Sequence, residues 1–384
     1  MFKNARPVLN LLGFEVKIDP SWLLIAALIT WSLSQHTFPS RLPEATPSQH
    51  FMIAVATMLL FFASLLLHEV AHAFVARSYG VSTRGITLFL FGGVAELESE
   101  PKDASHEFYI AVAGPLMSLF LAFLFWVLLK FSMIFNGPEE FAAVFSYLAL
   151  INLILALFNL LPAFPLDGGR ILRAYLWNKS GNILRATKTA SKSGELLAFA
   201  LIVLGILTLF NGFVVSGFWQ VLLGFFLLAA AKASYQNQLM QAAFAKRCVG
   251  TLMTKTPVIT IHPDTTISDL IYNKILRFNV SFVPVIENET LLGYIDTEVL
   301  SDLERENWRN TRVNDVFVGL NPDNCVTEDM PLSELMKKIS ETNRRKFLVC
   351  QNSTLKGVIS LSDLMGFLGL ISLLKLHSNG QEPR

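Results

Sequence analysis

The long uncharged runs of apolar residues place the strongest limit on what this chain can fold into, and they all lie before about residue 232. A helix needs about 20 predominantly apolar residues to cross the hydrocarbon core of a bilayer. Runs that meet or approach this length occupy residues 22–33, 51–76, 108–129, 141–161, 196–210 and 213–231. Because only 16% of the residues are charged and 52% are hydrophobic, an ordinary soluble protein is excluded. The sequence therefore predicts a polytopic α-helical membrane domain with about six transmembrane helices, embedded in a lipid bilayer.

Loops rich in Lys and Arg alternate strictly with loops that carry one such residue or none. The rich segments are the N-terminal segment, the loops after the second and fourth runs, and the segment after the last run. Because cytosolic loops of membrane proteins carry an excess of Lys and Arg, we expect a multi-pass protein of the cytoplasmic (cell) membrane with both termini in the cytosol. The first run begins past residue 20 and no small-residue cleavage site follows it, which favours a retained span over a signal peptide.

The second apolar run contains three ionisable side chains close together, His68, Glu69 and His72. Positions i and i+4 lie on one face of a helix, so the two imidazoles can share one tetrahedral metal ion. The Glu between them then reaches a water molecule activated by that metal. Ionisable residues inside a membrane span are costly and mark a functional site by default. The alternative is that the three side chains only form hydrogen bonds to neighbouring helices.

A catalytic zinc ion (Zn2+) needs a third protein ligand and an open position for water. The fourth run ends in the sequence NLLPAFPLDGGR, whose prolines should end the helix and free the backbone near Asp167. The second and fourth spans both run inward, so Asp167 reaches a depth similar to that of His68 and His72. We therefore predict one zinc ion per chain held by these three residues, with Glu69 as the catalytic general base. The DGG sequence is also an ordinary turn signal.

The HEVAH motif in one span and NLLPAFPLDGG in a later one resemble the site-2 protease family of intramembrane zinc metalloproteases. Three further segments resemble the same family in its order: GFEVKIDPSWLL from Gly13, LFLFGGVAELESEP from Leu88, and AGP from Ala113. The resemblance covers roughly residues 10–235. It implies a zinc endopeptidase that hydrolyses peptide bonds of transmembrane protein substrates near the cytosolic side. This activity is called regulated intramembrane proteolysis.

The same resemblance implies zinc-ligand roles for His68, His72 and Asp167 and a general-base role for Glu69. It also implies that Asn159 helps to position the substrate or the oxyanion. The chain departs from the family pattern at Ser118, where many members carry Asn shortly after the GP sequence.

The segment between Gly85 and Leu97 is rich in β-forming residues and is interrupted by Gly92 and Gly93. We expect a short β or re-entrant hairpin that dips back at the membrane interface. Such a hairpin can offer an edge to an extended substrate strand. Alternatively, it packs as a re-entrant loop that does not contact the substrate.

The charged region after the last span contains two similar segments, residues 249–300 and 313–365. Each reads strand, helix, strand, turn, strand, helix, and the two are offset by about 65 residues. They resemble a tandem pair of CBS domains, a regulatory module that often binds adenine nucleotides. The expected domains are 1–235 for the membrane protease, 236–247 for a linker, 248–306 and 312–370 for a cytosolic α+β CBS pair, and 371–384 for a tail.

Ser360 and Asp363 match the S/T-x-x-D pattern that often holds ribose in CBS domains, so the resemblance implies ATP, AMP or another adenine nucleotide as a ligand that modulates the protease. The first repeat has Asp296 and Val299 at the equivalent positions and departs from the pattern. Ser360 and Asp363 can equally cap the following helix. Paired CBS modules often dimerise, which allows a homodimer.

Other features limit the partners and the compartment. A net charge of +1 gives no basic surface for nucleic acid, so no nucleic-acid partner is expected. The cysteines Cys248, Cys325 and Cys350 show no metal-binding spacing, which favours reduced thiols in the cytosol. Two other functions remain alternatives: a CBS-regulated membrane channel or transporter, and an inactive membrane scaffold. The first leaves the HExxH spacing unexplained, and the second does not need Glu69.

Overall fold

A computed structural model of the protein describes residues 5–90, 92–97, 100–244, 247–255 and 258–378. The chain forms two compact units, Met1–Gln238 and Leu239–Arg384. The first unit contains the predicted spans, and the second contains the two predicted repeats.

The first unit opens with an antiparallel hairpin of β1 (Arg6–Leu11) and β2 (Phe14–Ile18). Next comes α1 (Ser21–Ser32), which continues directly into a π-helical turn, Leu33–Thr37, and then α2 (Phe38–Arg41). The first apolar run is therefore part of a helix divided by a π turn. The division falls where the apolar residues give way to the polar sequence SQHT.

Long helices make up most of the first unit. They are α3 (Pro47–Ser78), α4 (Ala104–Ile134), α5 (Glu139–Asn159), the shorter α6 (Asp167–Ser180), α7 (Ile183–Phe210) and α8 (Val214–Phe244). All of them except α6 are long and apolar enough to cross a membrane, which makes five such helices in the described part of the chain. This is one fewer than the six predicted runs, because the first run forms only the 12-residue helix α1 before the π turn begins at Leu33.

A small sheet lies against the C-terminal half of α3. The predicted hairpin is present as β3 (Thr83–Phe89) and β4 (Gly92–Leu97). Because β3 also pairs in parallel with β2, the sheet has the order β1-β2-β3-β4, with β4 at one edge. Phe14 and Ile86 of the sheet pack with Val70 of α3. The sheet is therefore held beside the turn of α3 that carries the HExxH motif.

The second unit is built from two sheets that each combine strands of both repeats. The strands are β5 (Thr254–Lys255), β6 (Phe282–Glu287), β7 (Thr290–Asp296), β8 (Val318–Gly319), β9 (Cys325–Val326), β10 (Lys346–Gln351) and β11 (Thr354–Ser360). The helices are α9 (Ile267–Leu270), α10 (Leu276–Phe278), α11 (Thr297–Ser301), α12 (Leu332–Thr342) and α13 (Leu361–Ser378). The sheet orders are β6-β7-β8 and β5-β11-β10-β9. Each repeat thus gives one short strand to the sheet of the other.

The segment predicted as a linker, residues 236–247, is helical as far as Phe244, where α8 ends. Ala243 and Phe244 are buried in the core of the second unit together with Leu332 and Phe347. The last turns of α8, from Leu239 to Phe244, are therefore part of the second folded unit.

The second unit also contains a disulfide between Cys325 and Cys350, whose Cα atoms are 6.3 Å apart. The prediction of reduced thiols was therefore wrong for these two residues, whereas Cys248 is a free thiol. The parallel pairing of β9 with β10 brings together two cysteines that are 25 positions apart. Such a long-range contact cannot be read from cysteine spacing.

Candidate metal centre

The two histidines of the HExxH motif occupy one face of the long helix α3. Thr46 caps this helix by accepting a hydrogen bond from the backbone N–H of Gln49, whose side chain accepts one from Thr46 in return. This capping box fixes where the helix starts, and the helical repeat then brings His68 and His72 together. Both are almost completely buried, at 2% and 4% exposed.

Asp167 completes a group of three possible metal ligands, and it is the first residue of α6. Its Oδ2 atom lies 3.2 Å from Nε2 of His68 and 3.2 Å from Nε2 of His72, and the two Nε2 atoms are 3.2 Å apart. A tetrahedral zinc ion with bonds of about 2.0 Å needs donor atoms about 3.3 Å apart. The three donors therefore match one face of a zinc tetrahedron, and this ligand count leaves a fourth position for water.

The other ring nitrogens of both histidines are held by α4. His72 Nδ1 donates to the carbonyl oxygen of Ile110 at 2.6 Å, and His68 Nδ1 lies 2.8 Å from the hydroxyl oxygen of Ser118. Because a carbonyl oxygen can only accept, the proton of His72 sits on Nδ1 and its Nε2 is available to a metal. Contacts of this kind orient metal-binding imidazoles. The sequence indicated Ser118 only as a departure from the family pattern and gave no sign of Ile110.

Gly114 of α4 faces the donor nitrogens. A Cβ atom at this position would lie 2.1 Å from Nε2 of His72 and 2.6 Å from Nε2 of His68. Any side chain would therefore fill the space in front of both nitrogens, which is the space that a shared metal ion needs. The residues present thus fit a zinc ion. The AGP sequence that contains Gly114 was noticed only through the family resemblance, and its steric role follows from the structure.

A cavity of about 460 Å³ opens beside the three donor side chains. Its lining is mainly apolar, and it includes Glu69 of the motif and Asn159 at the end of α5. Gly92 and Gly93 line it from the start of β4. The structure thus brings all the predicted site residues of the first unit to a single cavity.

The strand β4 passes directly against Glu69. A Cβ atom at Gly93 would lie 2.6 Å from Cγ and 3.2 Å from Cδ of Glu69. Glycine at this position therefore lets the backbone of an edge strand touch the side chain predicted to be the general base.

Arg170 also lines the cavity, one helical turn after Asp167. No motif in the sequence predicted this position for Arg170. The available signal was a basic residue three positions after the predicted ligand, which places both side chains on one face of α6. It adds a positive charge to a cavity that also contains two carboxylates.

The predicted nucleotide-binding residues of the second repeat contact each other. The Ser360 hydroxyl donates to Oδ2 of Asp363 at 2.7 Å and accepts from the Asp363 backbone N–H at 3.3 Å. The Ser360 backbone N–H also donates to Oδ2 of Asp363 at 2.8 Å. This reciprocal pattern is a helix cap at the start of α13, which is the alternative that the sequence left open. In the first repeat, Asp296 caps α11 in a similar way.

Comparisons with known proteins agree with this geometry. Residues 56–141 and 137–205 match the profile of "Peptidase family M50", and residues 249–300 and 313–370 match that of "CBS domain". The chain is 34% identical over 373 residues to the protein named "Putative zinc metalloprotease Rip3" of Mycobacterium tuberculosis, covering 97% of this chain and 94% of that protein. It is 32% identical over 315 residues to a zinc metalloprotease of Methanocaldococcus jannaschii, covering 82% of this chain and 85% of that protein.

A solved structure, the site-2 protease from Methanocaldococcus jannaschii, is 29% identical to this chain with a TM-score of 0.44. The match covers 60% of this chain and 95% of that chain.

Proposed function

Because the chain belongs to peptidase family M50, the site-2 protease family of zinc metalloproteases, we propose that it is an intramembrane zinc endopeptidase that cleaves transmembrane proteins. The observation that carries this proposal is the triangle of donor atoms from His68, His72 and Asp167, with sides of 3.2 Å, beside Glu69. These residues lie in a unit whose described residues form five helices long and apolar enough to span a membrane. The arrangement favours a protease over the channel, transporter and scaffold alternatives, because none of those needs an HExxH motif next to a third ligand.

The chemistry divides between the metal and the side chains around it. Zinc, when held by these three residues, would lower the pKa of a water molecule and polarise the substrate carbonyl. Glu69 accepts the proton of the attacking water and then passes it to the nitrogen of the departing amine. Asn159 lines the same cavity, where its amide can donate to the substrate carbonyl oxygen or to the oxyanion that replaces it.

The edge strand β4 is the proposed binding surface for the substrate. A transmembrane substrate must unwind locally before its backbone can enter the cavity, and an extended segment can then pair with the free edge of a sheet. Because Gly93 lets β4 touch Glu69, a segment paired with β4 would lie close to the general base. From the alternation of basic loops we propose that this event occurs near the cytosolic side of the cytoplasmic membrane, with both termini in the cytosol.

Zinc removal tests this function directly. Purified full-length protein in liposomes should cleave members of a panel of single-span test proteins that carry Gly or Pro near the cytosolic end of the span. Treatment with a zinc chelator should abolish this cleavage, and addition of one zinc equivalent per chain should restore it. If zinc-loaded protein cleaves no member of the panel, or if chelation leaves the cleavage rate unchanged, the proposed function is wrong.

We further propose that the CBS pair binds an adenine nucleotide through the second repeat, that this binding modulates cleavage, and that the CBS domains form a homodimer. Support comes from the S-x-x-D pattern at Ser360 and Asp363 and from the profile match over both repeats. Titration with AMP or ATP should release heat and raise the melting temperature. Asp363→Ala should abolish both effects, while Asp296→Ala, which removes the corresponding cap of the first repeat, should keep them. Absence of both signals in the wild type would refute nucleotide binding.

A further inference from the structure

A buried ion pair lies outside the cavity, between the first turn of α4 and the middle of α6. Glu107 is 0% exposed and Arg173 is 7% exposed. The Arg173 Nε atom donates to Oε1 of Glu107 at 2.6 Å, and Nη2 contacts the same oxygen. Neither residue lines the cavity. The proposed reaction therefore does not use them directly.

Three other side chains, Phe164, Gln238 and Glu100, lie near this ion pair. The Arg173 guanidinium lies 5.1 Å from the centre of the Phe164 ring, in the loop that leads to α6. In the amide orientation that satisfies its neighbours, Gln238 of α8 donates to both carboxylate oxygens of Glu100, at 3.2 and 2.9 Å. Burial raises the pKa of Glu100, against the opposing effect of Arg173. Arg173 thus contacts the buried carboxylate of Glu107, and its charge also acts on the partly buried Glu100.

A buried ion pair of this kind adds little net stability to the folded state. Removing two charges from water costs about as much as their attraction returns, and apolar residues of similar volume often stabilise a fold as well or better. An ion pair differs from an apolar contact in that it is directional, because the planar guanidinium meets the carboxylate in a defined geometry. The pair is therefore better suited to fixing the position of one helix against another.

The two helices it joins are the ones that complete the metal centre. On α4, Glu107 lies one turn before Ile110, and α4 also provides Ser118, so this helix orients both histidine rings. On α6, Arg173 lies two turns after Asp167. The ion pair therefore ties the helix that orients the histidines to the helix that carries the third donor.

We propose that Glu107 and Arg173 are positioning residues that hold α6 where Asp167 can share a zinc ion with His68 and His72. The proposal rests on the proposed function, because it requires Asp167 to be a metal ligand. Without the pair, α6 keeps its apolar packing but loses the contact that sets its rotation and depth relative to α4.

Zinc affinity, measured by equilibrium competition with a chelator, tests this role without reference to activity. Arg173→Lys keeps the charge but cannot place two N–H groups of one planar guanidinium on Oε1 of Glu107, and we expect affinity to fall about tenfold. For the apolar double variant Glu107→Leu/Arg173→Met we expect a melting temperature close to that of the wild type and affinity about 10- to 100-fold lower. Lys179→Met, at an exposed position of the same helix, is the matched control and should not change either quantity.

Two outcomes would overturn the proposal. Wild-type zinc affinity in the apolar double variant would show that the pair only fills space, and wild-type affinity in Arg173→Lys would show that its geometry is irrelevant. Asp167→Ala, measured in parallel, separates this inference from the proposed function. If Asp167→Ala loses zinc while the pair variants keep it, only the positioning role fails; if Asp167→Ala itself keeps zinc, the ligand set fails first.

Discussion

Replacement of Glu69 by Gln should leave about one zinc ion bound per chain and slow cleavage of a transmembrane test protein about 100- to 10,000-fold. Gln has nearly the shape of Glu but cannot take the proton of the attacking water. Zinc content should not change, because Glu69 is outside the group of three donors formed by His68, His72 and Asp167. The expected variant is therefore a correctly assembled metal centre without its base.

Metal analysis and initial-rate cleavage assays on the same preparation would measure both quantities. Glu139→Gln is the matched control, because Glu139 is exposed in the first turn of α5, away from the cavity, and should keep zinc and activity. Cleavage at the wild-type rate by Glu69→Gln would rule out the general-base role. Loss of zinc from this variant would instead indicate that Glu69 is needed to hold the metal ion.

Replacement of Gly114 by Ala should abolish zinc binding as completely as His72→Ala or Asp167→Ala, although it removes no ligand. The added methyl group would lie 2.1 Å from His72 Nε2 and 2.6 Å from His68 Nε2, where a metal ion must approach both atoms. The helix itself should not suffer, because Ala favours a helix over Gly by about 1 kcal/mol. The expected result is a folded protein with no zinc and no cleavage activity.

Zinc per chain and the thermal unfolding curve would test this expectation together. Gly366→Ala is a suitable control, because a Cβ atom there has no heavy atom within 4 Å and zinc content should stay at the wild-type level. A fully zinc-loaded Gly114→Ala variant would mean that the metal does not occupy the space in front of this glycine. Zinc retained by both His72→Ala and Asp167→Ala would refute the ligand set itself.

Features that depend on local periodicity were accessible from the sequence. The sequence predicted about six spans, and five of the six apolar runs lie in helices of that length in the described part of the chain. Such runs can be found without the tertiary structure because hydrophobic length is a local property. The first run forms the 12-residue helix α1, which ends where the π turn at Leu33–Thr37 begins, so it is shorter than the other five. The hairpin at Gly92 and the two repeats of the CBS pair follow from β-forming patterns and turn residues. The exchange of β5 and β8 between the repeats was not predictable, because strand partners are chosen by packing.

The candidate metal site shows the same division. The pairing of His68 with His72 is set by the helical repeat, so the spacing alone predicted it. Asp167 was predicted from topology, which indicates a similar depth but no distance. Its 3.2 Å approach to each imidazole depends on where α6 packs. For the same reason, the sequence did not reveal the contact between Ser118 and His68.

By itself, the amino-acid sequence determined that this chain has a membrane domain, a helix bearing two imidazoles on one face, and a tandem pair of CBS repeats. Each of these features depends on residues that are close together along the chain. Only the tertiary structure decided that Gly114 leaves room for a metal, that β4 touches Glu69, and that Glu107 meets Arg173. These contacts join residues of different helices and strands, and their geometry is set by how those elements pack, which no local pattern encodes.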